Sequence, residues 1–277
     1  MVRDAARLPP LILLIGGTSE TAPLANALAD AGARVLVSTA TEIVLDCGAR
    51  AAIRRRSGRL DQDGMRDLLA REGVACIVDA AHPFAIELHQ TARAVARAAG
   101  LPFVRYERAE TAADISHARI LTAGSHAEAA RLACGAGKRV LLTTGSRCLK
   151  PYVEAARASG AELFARVLPE VESLEACRVA GLGAANIIAA RGPFSLEANR
   201  ALIARLCIDV LVTKDSGAAG GVPEKLAAAE AENCAVVLVR RPNAEHGSAC
   251  RDATALLAEL AQLRVLSPPG AGRVPVP

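Results

Sequence analysis

The chain has 277 residues, 52% of them apolar and 22% charged, with a formal net charge of +4. These proportions describe a globular protein long enough for two cored domains, and they exclude a disordered or fibrous chain. Aromatic residues make up only 2%, with no Trp, and no dense basic run exists beyond Arg54-Arg55-Arg56, which argues against a nucleic-acid partner.

Eight cysteines are present and no two are spaced as C-x-x-C, so neither a metal site nor a redox pair is signalled. No signal-peptide pattern opens the chain, and the expectation is a reduced, cytoplasmic protein. The apolar run at 11–15 is too short to cross a membrane. Oligomeric state is not readable.

Apolar, β-branched runs alternate with amphipathic helical patterns along the whole chain. Strands are expected near 11–16, 34–39, 51–55, 74–79 and 102–105, with helices over 20–31, 62–72 and 85–99. A polar interval, "YERAETAADISHA", then reads as a domain junction. Strands resume near 118–122, 138–143, 162–167, 186–190, 208–213 and 235–239, and helices are expected over 125–134, 148–158, 170–179, 195–205, 223–232 and 250–263. This is the rhythm of βαβ units: an α/β fold with mostly parallel sheets. The expected domains are 1–108 and 109–277, with both Pro/Gly-rich ends disordered.

The polar turns fall where predicted strands end. "LILLIGGTSE" delivers a buried strand to Gly16-Gly17-Thr18-Ser19 and a helix start, a natural phosphate site with Thr18 or Ser19 as cap. It is not G-x-G-x-x-G, and an ordinary glycine turn fits the loop equally well. The second strand ends in Ser38-Thr39-Ala40-Thr41 without the acidic residue that an NADH-selective protein places on the ribose. That leaves room for a 2′-phosphate, with Arg55, Arg56 or Arg59 as cations, though a solvated basic stretch explains them as well.

"VDAAHPFAIE" puts Asp79 at a strand end and His82 in the following turn, where it can bond a ligand, donate a proton or simply cap. "LLTTGSRCLKPY" repeats the first loop's logic with Thr144, Gly145, Ser146 and the cation Arg147. "AARGPFS" offers Arg191 and echoes the earlier His-Pro-Phe turn. "VLVTKDSGAAGGVPEKL" runs a buried strand into Lys214-Asp215-Ser216; a charged pair there marks a functional site more readily than a salt-bridged loop. Convergence of these turns on carboxyl edges favours a small-molecule enzyme.

The set "GGTSE", "D-A-x-H-P-F-A", "LPFVRYER", "LLTTGS", "AARGPFS", "TKDSG" and "VVLVRRP" resembles the precorrin-6A reductase family of cobalamin (corrin) biosynthesis over roughly residues 11 to 242. One departure is visible: Arg105-Tyr106-Glu107-Arg108 runs into Ala109, without the Pro and Trp of the family's R-x-x-R-P-x-W. The resemblance implies two Rossmann-like domains with the active site between them. It also implies hydride transfer from NADPH to a double bond of the precorrin-6A macrocycle, giving precorrin-6B.

On that resemblance Gly16, Gly17, Thr18 and Ser19 receive the pyrophosphate, and Ser38, Thr39 and Thr41 lie towards the adenosine. The substrate's fringe of carboxylates calls for scattered cations and polar groups. Arg105, Arg108, Thr144, Gly145, Ser146, Arg147, Arg191 and Ser216 are the expected contacts, with Lys150, Lys214 and Lys225 as further cations. Lys214, Asp215 and His82 are the candidates to supply a proton. A Tyr-x-x-x-Lys mechanism is excluded, because Tyr106 and Tyr152 are followed four residues later by Glu110 and Ala156. Two alternatives stand beside this reading: a non-catalytic two-domain binder of an anionic metabolite, and a cobalt-precorrin-6A reductase using NADH.

Overall fold

The computed structural model describes residues 8–42, 45–107, 119–217, 220–242 and 249–267. Unit 1 opens with β1 (Leu11–Ile15), α1 (Thr21–Asp30), β2 (Arg34–Thr39), β3 (Ile53–Ser57), α2 (Gln62–Glu72), β4 (Val74–Asp79), α3 (Ile86–Ala98) and β5 (Phe103–Arg105). Unit 2 follows with β6 (Ile120–Ala123), α4 (His126–Ala136), β7 (Arg139–Leu142), α5 (Lys150–Ser159), β8 (Glu162–Val167), α6 (Val171–Ala180), β9 (Ile187–Ala189), α7 (Leu196–Arg205), β10 (Val210–Lys214), α8 (Val222–Ala231) and β11 (Ala235–Val239). The last helix, α9 (Ala253–Gln262), returns to unit 1.

Every strand pair in both sheets is parallel. The central strands are buried on both faces, which is why they read as continuous apolar runs rather than alternating ones. Unit 1 has the order β3-β2-β1-β4-β5. One face of this sheet carries Leu24, Leu28, Leu256 and Leu260, and the other carries Met65, Leu68, Val95 and Ala96. Helix signals are local: Asp61, Ser125, Ser195 and Asp252 each accept a backbone N–H as N-cap, and Gly73 closes α2 at φ 65°.

Unit 2 has the order β6-β11-β10-β7-β8-β9. The order of strand addition reverses between β1 and β4 in unit 1, and between β7 and β10 in unit 2, while the strands stay parallel. Loops leaving those strands therefore flank the two switch points, where parallel sheets bind ligands.

The sequence assigned 109–277 to one domain, and here the structure differs. Helix α9 lies against unit 1, with Leu256 and Leu260 fully buried beside Leu24 and Leu28 of α1. The preceding segment extends the edge of β5: the Cys250 N–H donates to the Arg105 carbonyl (2.9 Å), and the Glu107 N–H donates to the Cys250 carbonyl (2.9 Å). An amphipathic helix specifies that it needs a sheet, not which sheet.

The basic stretch at 54–56 is part of β3, an edge strand, where charged side chains are tolerated. Of the junction expected at 106–118, residues 108–118 lie outside the described residues, as do 1–7 and 268–277 of the ends 1–10 and 267–277 expected to be disordered.

Candidate active site

Strand register lines up one row across the carboxyl edge of unit 1: Arg56, Ser38, Ile15, Asp79 and Arg105 are successive partners. Gly16 through Ser19 leave this row at the switch point. Gly17 has φ +112°, and a Cβ there would meet nothing within 4 Å, so the backbone faces open space. Gly16 has no such room: its Cβ would lie 2.6 Å from the Thr21 methyl.

Thr18 and Ser19 are not helix caps. Glu20 holds the N-cap position without a side-chain bond, and the Gly17 and Thr18 amides donate to Thr21 Oγ1 at 3.0 and 3.2 Å. Thr21 is fully buried and braces the loop from inside. Sequence reading missed it, although a Thr following "GGTSE" was the available signal. Thr18 donates to the Ala80 carbonyl (3.4 Å), tying the first loop to the turn after β4.

Beside that loop, Ser38 Oγ accepts from Arg56 Nη1 (2.8 Å), and Thr39 Oγ1 accepts from Arg55 Nη2 (3.1 Å). The exposed Thr41 contributes its carbonyl to Arg55. Arg56 otherwise donates to the Ser57 and Gly58 carbonyls, with no carboxylate within ion-pair distance among the described residues.

At the end of β4, Asp79 is fully buried. Its carboxylate accepts from His89 Nδ1 (2.7 Å) and the Ala81 amide (3.1 Å), and it stands 3.2 Å from Arg105 Nη1. Burial alone would raise this carboxyl, but the His89 hydrogen bond and the Arg105 charge outweigh it and hold the pKa below the ordinary value. With the His89 ring neutral, Nδ1–H donates to Asp79 and Nε2 accepts from Arg105 Nη2 (3.1 Å). A charged ring would instead donate from Nε2 to the His82 carbonyl, also at 3.1 Å.

Arg105, expected to meet substrate, is thus 9% exposed and spent on Asp79, His89 and Glu107. It braces the turn that presents His82. His82 Nδ1 accepts from the Phe84 amide (3.3 Å), which leaves its proton on Nε2. Arg108 lies outside the described residues.

In unit 2 the loops after β7 and β10 flank the switch point. Thr144 is 6% exposed, and its hydroxyl has no hydrogen-bond partner among the described residues. Gly145 takes φ +82°, Ser146 donates to Ser173 Oγ (3.3 Å), and Arg147 is exposed. Lys214 ends β10, its pKa lowered by burial and by Arg147 against an opposing effect of Cys148.

Close by stands His126, a residue that no sequence motif marks. Its Nδ1 shares a hydrogen bond with the buried Tyr152 hydroxyl (2.8 Å), and burial together with the Lys214 charge pushes its pKa down to about 4. It is a neutral imidazole beside an ammonium. Asp215 is 2% exposed, with its carbonyl accepting from Arg241 Nε (3.0 Å) and its carboxylate 3.9 Å from Arg241 Nη2. Ser216 is buried against Gly220, where a Cβ would lie 2.0 Å from Ser216 Oγ. Arg191 sits apart from this group, after the edge strand β9, and pairs with Glu170 at 3.4 Å.

Among the described residues no three His, Cys, Asp or Glu side chains could hold a metal ion, and no helix is long and apolar enough to cross a membrane. The two edges offer backbone and hydroxyl cradles with cations, an arrangement suited to an anionic cofactor and an anionic substrate.

The sequence profile of the Precorrin-6x reductase CbiJ/CobK family matches residues 11–261. The chain belongs to that family. The cobalt-precorrin-6A reductase of Priestia megaterium is 36% identical over 86% of this chain and 93% of its own. The precorrin-6A reductase of Rhodococcus erythropolis is 33% identical over 83% and 89%. Among solved structures, a CobK precorrin-6A reductase superposes with a TM-score of 0.74 at 28% identity, covering 91% of this chain and 96% of the other. Two Rossmann-like units and an oxidoreductase assignment follow from these likenesses. The matched region takes in α9 all but its last residue.

Proposed function

We propose that the protein reduces one double bond of the precorrin-6A macrocycle with NADPH, giving precorrin-6B in cobalamin biosynthesis. The observation that carries the cofactor choice is Arg56. It is held on Ser38 at the end of β2 with no carboxylate partner among the described residues, beside a glycine turn whose Gly17 has open space around it. A 2′-phosphate fits that arrangement, and the acidic residue that would select NADH is missing from the strand end. NADPH fits here with Gly16, Gly17, Thr18 and Ser19 as the pyrophosphate loop and Ser38, Thr39, Arg55 and Arg56 at the adenosine end. Bound there, it supplies the hydride.

The chain's own residues orient the macrocycle and supply a proton. Lys214 is the group we assign to that proton. It is a cation whose burial weakens its hold on hydrogen, next to a His126 that remains neutral at ordinary pH. His82, with its proton on Nε2, is the second donor. Asp215 acts by holding the Lys214 loop through Arg241.

Two tests apply. Gly17→Val should raise the NADPH dissociation constant at least ~10-fold, because the side chain fills the space the pyrophosphate needs; an unchanged value in a fluorescence titration moves the cofactor elsewhere. The reaction itself is tested by following oxidation of NADPH, and of NADH in parallel, with precorrin-6A and with its cobalt form. Substrate-dependent oxidation that favours NADPH and precorrin-6A is the expected result. Turnover only with the cobalt form would align this chain with the Priestia relative. Binding of the macrocycle without oxidation would establish the non-catalytic alternative.

A further inference from the structure

Strand β8 places Phe164 in the apolar core of unit 2 with Leu202, Ile203 and Leu226. Two residues on, the alternation of the strand brings Arg166 to the same face at the carboxyl edge. Arg166 is 7% exposed. Its guanidinium carbon lies 3.9 Å from the centre of the Phe194 ring, and Nη1 donates to Asn199 Oδ1 at 2.9 Å. Asn199 is buried and donates in turn to the Phe194 and Ser195 carbonyls, so the whole mount is rigid.

Lys225, half-buried in the first turn of α8, donates its ammonium to the Gly220 carbonyl (3.1 Å) and feels the Arg166 charge. Burial, reinforced by the Arg166 charge, pushes the Lys225 pKa down to about 8 against the opposing charge of Glu224, and burial lowers Arg166 to about 10. Neither cation has a carboxylate within ion-pair distance among the described residues, and Glu224 Oε2 itself is buried without a hydrogen-bond partner.

A buried cation with a second, half-buried one feeling its charge weakens a fold unless something balances them. A purely structural Arg would bring its own carboxylate, as Arg105 brings Asp79. This one is instead clamped flat by an aromatic ring and an amide. The neighbouring strand ends add polarity: in the order β10-β7-β8, the hydroxyls of Thr213 and Thr144 are both buried and unpartnered among the described residues.

We propose that Arg166 and Lys225 form an oxyanion subsite at the carboxyl edge of unit 2 that receives one anionic oxygen group of a bound ligand. The inference rests on the reductase reading for its ligand, and that reading, which holds the cofactor phosphates in unit 1, leaves a carboxylate on the rim of the macrocycle as the group received here. A stacked guanidinium whose Nε and Nη2 have no partner among the described residues takes a carboxylate as a paired hydrogen bond, and the ammonium adds a point charge.

The experiment compares wild type with Lys225→Met and Arg166→Gln, and with Arg166→Lys in case the Gln variant fails to fold. Thermal melting is read in inorganic phosphate, in glutarate and in chloride at matched ionic strength. Wild type should be stabilised by phosphate or glutarate over chloride, and Lys225→Met should lose that increment. Unliganded Lys225→Met should melt at or above the wild-type temperature, because the like-charge pair is relieved. Turnover then identifies the source. A rise of about tenfold in KM for the macrocycle with an unchanged NADPH dissociation constant assigns the site to a substrate carboxylate. A tenfold weaker NADPH, with or without NADH, would assign it to a cofactor phosphate, overturning both the macrocycle carboxylate and the placement of that phosphate in unit 1.

Equal oxyanion stabilisation of wild type and Lys225→Met, or a lower melting temperature for that variant with unchanged KM and Kd, overturns the subsite. Failure of the reductase reading would show as absent turnover in wild type and would leave the melting comparison intact.

Discussion

Replacing Lys214 with Met lowers kcat by ~10²-fold or more, the loss expected when a positioned proton donor is removed, while the fold melts at an unchanged or slightly higher temperature. The second half of that expectation comes from burial. Lys214 sits at the carboxyl edge with its pKa depressed, so the folded state carries its charge at a cost. Met keeps the length of the stem and removes the charge.

The sign of the pH dependence is set by the same shift. Between the depressed folded value and 10.5, the unfolded chain still holds a proton that the folded chain has released. Stability therefore gains a contribution from this group as pH rises through that window, and Lys214→Met loses the contribution. A third readout is His126, which Lys214 helps to keep neutral; its imidazole should titrate at higher pH in the variant, visible by NMR. Parallel loss of stability and activity would make Lys214 a structural residue and remove the proton assignment.

Asp79→Ala should cost ~3–5 kcal/mol of unfolding free energy in a denaturant titration, the range for breaking a buried ion pair from one side. Removing the carboxylate strands Arg105, which is 9% exposed, and takes the hydrogen-bond acceptor from His89 Nδ1. Asp79→Asn keeps an acceptor for the Ala81 amide and should fall between wild type and Ala. The folded carboxyl is held below its ordinary 3.8 despite full burial, so its contribution is fully present above that pH. It disappears as pH falls from there through the lower folded value. A loss under ~1 kcal/mol would mean that the network is not held together by its charges. The same variant should also disturb His82, because His89 meets the His82 carbonyl and Arg105 the carbonyl of Asp79.

How much of this was legible beforehand differs residue by residue. The strand-to-turn junctions at Gly16-Gly17, Thr144-Gly145 and Lys214-Asp215 could be read because a doubly buried strand needs a continuous apolar run, and its end is marked by the first polar or glycine residues. The basic character of β3 was legible, as was a 2′-phosphate role for Arg55, Arg56 or Arg59, but not which of the three stands beside Ser38. Arg56 gains meaning only from Ser38, which parallel pairing sets directly beside it.

Arg105 looked like a substrate contact because it is a cation at a strand end. Its burial against Asp79 depends on the pairing of β4 with β5, which no local pattern encodes. His126 carries no motif at all, Thr21 only its place after "GGTSE", and Arg166 none. Each becomes noticeable through a partner distant in sequence or through burial: Tyr152, the glycine-loop amides, and Phe194 with Asn199.

By itself, then, the order of residues determined the α/β class, the positions of most elements and the identity of the loops at the carboxyl edges. It did so because helix and strand periodicities, caps and glycine turns act over a few neighbours. Tertiary structure alone decided that the two strongest loop pairs flank switch points between β1 and β4 and between β7 and β10. It also decided that α9 closes the first unit rather than the second, and that Arg105 is consumed while Arg166 and Lys225 are left without a carboxylate. Strand order, docking and charge pairing are contacts between segments far apart in the chain. Their free energies depend on which surfaces meet, and a local pattern carries no record of that.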